Sequence, residues 1–155
     1  MTSGGYAPTG GYSPAAGRPA GLLVRWLARA IDGIIVVLGA IVLHLTTDLE
    51  FSLLVTGLFT GALMFLYFFV LEGFVGATLG KKLLGLRVLA PGGAAKPTPV
   101  QAAIRNCWTL LPIIPYLGGL LGVVAIIVIA VTINGSPTRQ GKHDDLAGGT
   151  IVVKG

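Results

Sequence analysis

The sequence predicts an all-α integral membrane protein: three transmembrane helices, a further re-entrant or interfacial helix, and short cytoplasmic β-like segments. Three observations carry that expectation. The chain is 54% hydrophobic and 11% charged, with a mean hydropathy of +0.85, whereas a soluble domain carries about 25% charged residues. Residues 51–71 and 106–133 form runs of 21 and 28 residues without a charge, and about 20 apolar residues match the hydrocarbon thickness of a bilayer. A third apolar run, 33–45, is headed by Arg25, Arg29 and Asp32.

Residues 1–20 are rich in Gly, Pro, Ser and Tyr. They hold two copies of a six-residue unit, Gly4-Gly5-Tyr6-Ala7-Pro8-Thr9 and Gly10-Gly11-Tyr12-Ser13-Pro14-Ala15. So little apolar surface cannot offset chain entropy, so this stretch reads as a disordered tail ahead of a membrane domain over 21–155.

In the first helix, positions 25, 29 and 32 are spaced i, i+4 and i+7 and share one face. The 13 apolar residues of 33–45 rise only about 20 Å, short of the roughly 30 Å core. To span, the helix must carry Asp32 and Arg29 below the lipid surface. Arg25 and Trp26 then fall at the interface. A secretory signal is disfavoured by the long preceding tail, by Asp32 within the helix and by the lack of a small-x-small cleavage site. The acidic connection Thr46-Thr47-Asp48-Leu49-Glu50 is short enough to make the first two spans an antiparallel hairpin.

The second span carries Gly57 and Gly61 at a spacing that lets backbones approach, an aromatic band at 67–69, and Glu72-Gly73 at its end. The following connection holds Lys81, Lys82, Arg87, Lys96 and Arg105. Its Gly-Lys pair is no Walker loop, because Val75 stands where the first glycine belongs and Lys82 where Ser or Thr does. Residues 86–89 read as a short strand, 100–111 as a helix, and 116–133 as the last span, with Gly118 and Gly122 again spaced for packing. Pro112 and Pro115 break the chain between them. Residues 150–153 are β-branched and read as a strand. The single Cys107 excludes an intramolecular disulfide and reads as a small buried apolar residue.

Taken together, residues 21–154 resemble the RDD family of small bacterial membrane proteins. Three blocks carry the resemblance: Arg25 seven residues ahead of Asp32-Gly33; Gly76-x-Thr78-x-Gly80-Lys81-x-x-x-Gly85-Leu86-x-Val88; and Arg139-Gln140-Gly141-x-His143-Asp144 followed by Ala147-Gly148 and Thr150-Ile151-Val152-Val153. The resemblance maps the family's arginine onto Arg25 and its aspartates onto Asp32 and Asp144, with Asp145 a weaker competitor because of an extra glycine before Thr150. It implies a bacterial plasma-membrane location and transport-related roles, cation/proton exchange among them.

Charge orients the chain. Arg18, Arg25 and Arg29 precede the first span, the first connection has no basic residue, and the second has five; the N-terminus is expected in the cytoplasm. Three simple spans would put the tail outside. If 100–111 dips into the membrane and returns at the prolines, the tail comes back inside and 86–89 can pair with 150–153. That second arrangement is the expected one, although 12 α-helical residues rise only about 18 Å.

Two readings of the charged stripe stay open. In one, Arg25, Arg29 and Asp32 anchor the helix, with Asp32 paired to Arg29 one turn away. In the other, Asp32 faces a wet interior and binds a cation or proton, since an intramembrane carboxylate is by default a functional-site hypothesis. A third role is that of an accessory subunit, binding another membrane protein, a second copy or anionic lipid through its basic loop and tail. No Ser/His/Asp set, metal-ligand cluster or nucleotide loop points to an enzyme, a cofactor or a metal. The basic residues serve topology, not nucleic acid. His143 beside Asp144 reads as a solvated pair or a tail-to-loop hydrogen bond.

Overall fold

The computed structural model of the chain describes residues 17–47 and 53–155; the repeats of the N-terminal tail and most of the first connection lie outside them. Helix α1, Leu22–Leu45, has 24 residues and rises about 36 Å, enough to cross a bilayer with Asp32 inside it. Its buried residues are Arg25, Ala28, Asp32 and Val36, while Ile34, Val37, Leu38 and Ile41 are exposed. This inversion, polar or small inside and large apolar outside, fits a helix whose outer face is solvated by lipid. α2, Leu53–Val70, is extended by a π-helical turn, Leu71–Val75, and stopped by Gly76 at φ +82°. α5, Gly118–Gly135, is the third helix long and apolar enough to cross.

Between α2 and α5 the chain makes a fourth leg. Thr98 and Gln101 form a capping box that starts α4, Pro99–Asn106, which tightens into a 3₁₀ helix, Cys107–Ile113, containing Pro112. This leg runs antiparallel along α2. Pro99 and Ala102 sit against Gly73, Thr109 and Ile113 against Gly61, and Pro112 against Gly57. A Cβ on Gly57 would collide with the Pro112 carbonyl, and one on Gly118 with that of Leu111. The glycines thus accommodate the broken leg itself.

The leg is longer than an α-helical rise allows. Eight residues at 1.5 Å and seven at 2.0 Å give about 26 Å, and Gly73 to Gly57 along α2 is about 24 Å. It therefore traverses most of the bilayer core before the chain turns at Tyr116, φ 65°. Cys107, expected to be buried, is exposed on this leg, and its thiol donates to Ile104 O at 3.1 Å.

At one end of the helices lies a small sheet. Strands β1 (Arg18–Pro19), β2 (Leu86–Leu89) and β3 (Ile151–Lys154) are ordered β1-β3-β2, all antiparallel. Val88 faces Val152, and Pro19 faces Val153. The expected pairing of 86–89 with the C-terminal strand is present. Arg18 and Pro19, expected in the tail, add a third strand. Ala20, Leu86, Val88 and Val152 pack with Ala28 of α1 to seal the sheet onto the helices. Two short helices complete this end: α3, Leu79–Leu83, and α6, Lys142–Leu146.

Because the N-terminal segment, the long connection and the tail share one sheet, all three lie on the same side. Three continuous helices and the broken leg make an even number of passages, which satisfies that geometry. Reporters fused at the two termini are expected on one side of the membrane. A single cysteine at position 47, in a Cys107→Ser background, is expected to be labelled from the other. Termini on opposite sides would rule out the fourth leg.

Candidate functional site

The charged stripe of α1 meets partners from α2, the turn into α3, the broken leg and α6. Asp32 is fully buried. Its Oδ1 accepts from the Tyr67 hydroxyl at 2.7 Å and the Gly80 N–H at 2.7 Å, and its Oδ2 accepts from the Thr78 hydroxyl at 2.6 Å. The glycine-rich block is built for this contact. Gly76 turns the chain out of the span, and Thr78 caps α3 by accepting from Lys81 N. Gly80 needs no side chain, because a Cβ there would strike the Ala28 carbonyl and the Asp32 carboxylate. Gly85, φ +68°, turns the chain into β2.

A second carboxylate was missed by sequence reasoning. Glu72, read as the end of a span, is fully buried in the π-helical turn. Its Oε1 takes Lys81 Nζ, and its Oε2 takes Arg105 Nε at 2.9 Å and Asn106 Nδ2 at 2.9 Å. Arg105, counted in sequence as one more basic loop residue, also reaches Asp144 Oδ1 and donates to the Thr150 hydroxyl at 3.0 Å. The available signal was that Arg105 is the one charge in the mostly apolar segment between two prolines, Pro99 and Pro112.

Asp144 is the third buried carboxylate. Arg25 donates to its Oδ2 through both terminal nitrogens, at 3.1 and 3.0 Å, and the Gly141 N–H donates at 2.9 Å. The tail thus folds back onto the start of α1, joining residues 119 positions apart. Asp145 stays exposed and takes no part.

Arg29 does not take the partner that the anchoring reading gives it. It forms no ion pair with Asp32, whose oxygens are already occupied by short donors from α2 and the α3 turn. Its guanidinium instead lies over the rings of Phe68, at 3.9 Å, and Trp108, at 4.4 Å, as a cation between aromatic faces. Its Nη2 is buried without a hydrogen-bond partner.

Beside this network, between α1, α2, the broken leg and α5, is a cavity of about 270 Å³. Among the described residues five buried side-chain atoms have no partner, and four belong to residues lining the cavity: Arg25 Nε, Arg29 Nη2, Trp108 Nε1 and His143 Nδ1. The first three are N–H donors in the ordinary protonation states of their side chains. The cluster gathers four cations, Arg25, Arg29, Lys81 and Arg105, against three carboxylates, Asp32, Glu72 and Asp144. Its balance is +1 with His143 neutral. Among the described residues no group of three His, Cys, Asp or Glu side chains is placed to hold a metal ion.

Outside the spans, burial works against each charge. It lowers Lys81 to about 8, against the pull of Glu72. Rather than forming a solvated pair, the His143 side chain is 11% exposed. Burial, then Arg105, Arg25, Arg29 and Lys81, hold its pKa well below 6.5. Asp144, 3.7 Å from Nε2, is already claimed by two arginines. An unfolded chain would take up a proton below pH 6.5 that the fold refuses. Acidification through 6.5 therefore favours unfolding, by up to about 1.4 kcal/mol per pH unit. In thermal unfolding of the detergent-solubilised protein, His143→Gln is expected to flatten the stability loss between pH 6.5 and 5. An unchanged slope would place the acid sensitivity elsewhere.

Comparison with curated proteins and with solved structures gives no significant match. A profile of the RDD family matches residues 19–148, a range that contains Arg25, Asp32, the glycine-rich block and Asp144. Together with three helices long and apolar enough to span a bilayer, that match places the chain in the RDD family of membrane proteins.

Proposed function

We propose that this protein binds an anion within the membrane and belongs to the transport class, with Arg29 as the group that meets the ligand's charge. One observation carries the reading: three of the four unpartnered atoms at the cavity are N–H donors, one of them on a surplus cation, while every carboxylate oxygen of the cluster is occupied. A buried cation with unused donors gains most from an anion, because charge-assisted hydrogen bonds are about twice as strong as neutral ones. Cation/proton exchange at Asp32 receives less support. Asp32 holds three donors and does not line the cavity.

The reading is one of binding and transfer rather than catalysis. Its membrane is the plasma membrane of a bacterial cell. All 11 Lys and Arg belong to the sheet end of the molecule or to the segments leading into it, which by the positive-inside rule favours a cytoplasmic sheet and access to the cavity from that leaflet.

The test is thermal stabilisation of the purified protein at constant ionic strength. The panel contains chloride, phosphate and carboxylates of increasing chain length, alongside sodium, lithium and potassium. At least one anion is expected to raise the melting temperature of the intact protein. Arg29→Gln is expected to weaken that anion about tenfold to a hundredfold, the worth of one charged hydrogen bond. The same anion is then followed across liposome membranes. Stabilisation by a cation alone, lost in Asp32→Asn and kept in Arg29→Gln, would restore the cation reading.

A further inference from the structure

We propose that the ligand of this cavity is an amphipathic monoanion, a single apolar chain with an acidic head, entering from the lipid between α1 and α5. The assignment rests on the anion reading above and adds the chemistry of the rest of the ligand.

The cavity is graded along the membrane normal. Arg25, Arg29 and His143 lie at its sheet end, whereas Thr60, Met64, Pro112 and Ile126 wall the part that reaches toward the bilayer centre. From Phe68 to Thr60 the α2 wall runs about 12 Å. A bare inorganic anion would satisfy the polar end and leave the apolar part without contacts. Apolar cavities stay dry and are filled by apolar ligands, and one of about 150 Å³ takes a benzene. At about 270 Å³ this cavity is under twice that size, room for one chain rather than the two of a phospholipid. Head toward the sheet and chain toward the centre is also the orientation of an amphiphile in that leaflet.

The route in is marked by shared walls. Leu22 and Trp26 line the cavity and also a shallow surface groove formed with Gly21, Leu23, Asn134 and Arg139. α1 and α5 touch at few points along this seam. Arg139 contributes a cation at the groove, where its guanidinium donates to Asn134 O and Oδ1 at 3.4 and 3.3 Å. An acidic head at the interface would meet Arg139 first and Arg29 after passing Trp26. The balance of +1 in the cluster is cancelled by one negative charge, which selects a monoanion.

The experiment reads Trp108 fluorescence. The chain has two tryptophans, so Trp26→Phe leaves Trp108, which lines the cavity, as the sole indole. Full-length protein in nanodiscs of uncharged lipid is titrated with four probes. They are a chain-brominated long-chain carboxylate, its methyl ester, a short bromocarboxylate and a chain-brominated phosphatidylglycerol. Saturable quenching is expected from the long-chain carboxylate, with at least tenfold weaker binding of the other three. Arg29→Gln is expected to weaken the long-chain acid tenfold or more, with Arg29→Lys recovering part of it. Ile126→Phe, which shortens the apolar end, is expected to weaken the long chain while sparing the short one. Both variants are checked for unchanged melting temperature without ligand.

Equal quenching by the methyl ester would reduce the contact to ordinary lipid packing. Equal affinity for the short carboxylate would overturn the amphiphile while leaving the anion reading intact. Tighter binding of phosphatidylglycerol would replace the single-chain acid by a phospholipid. Loss of all anion binding would overturn both readings.

Discussion

The structure depends on Arg105. Its guanidinium joins Glu72, at the end of the second span, to Asp144, in the C-terminal tail, and through them it ties α2 to α1 and the broken leg to the sheet. Removing one partner of a buried pair costs about 3–5 kcal/mol, because the other charge is left uncompensated. Here every carboxylate has at least three donors, so the penalty is spread over a network that forms as a unit. In lipid, helices gain no hydrophobic drive to associate. Polar contacts of this kind therefore define which faces meet, and the glycines at 57, 61 and 118 permit the approach that the contacts require.

The membrane class and much of the architecture were readable because hydropathy reports directly on solvent. Three long apolar runs have few alternatives once a bilayer is the medium, and the β-branched run at 150–153 has a strand preference of its own. The fourth leg was harder. Its length was judged on an α-helical rise, whereas Pro112 and the tight packing on α2 draw it into 3₁₀ geometry, with more rise per residue. Pro112 is the one local sign of that choice in 107–113; the rest comes from the glycine-floored groove of a helix some fifty residues earlier.

The site was legible to a similar degree. Arg25, Asp32 and Asp144 were drawn out by motif, and Arg25 and Asp144 do meet. Arg29 was assigned its nearest sequence neighbour of opposite charge, but proximity on a helix is a weak criterion when stronger donors arrive from elsewhere. Tyr67, Thr78 and Gly80 outcompete it for Asp32. In sequence Glu72 reads as the end of a span, and Arg105 as the last basic residue of the connection on the helix 100–111, because each sits where an apolar run stops. In a membrane protein that boundary is also where a buried charge is least costly, so a charge at the edge of a span can belong equally to water or to the interior. Pairing decides, and pairing is a property of the fold.

That distinction also changes what Asp32 signifies. The block Gly76-x-Thr78-x-Gly80-Lys81 failed as a phosphate loop on spacing, yet it performs a related task. A short turn opens a helix, the Gly80 N–H and the Thr78 hydroxyl face an anion, and a glycine lets the anion come close, related to anion binding at helix N-termini. The anion is the chain's own carboxylate, delivered by α1. Once Asp32 occupies that cradle it is spent on holding the loop to the first span, and its charge is no longer available to a solute. The surplus lies on the other side of the ledger of signs: four cations stand against the three engaged carboxylates, and the one with no carboxylate of its own is Arg29, stacked between Phe68 and Trp108 at the cavity wall. A negative residue drew attention to this helix, but the group left unsatisfied on it is positive, and the sign of the ligand follows from the group left over.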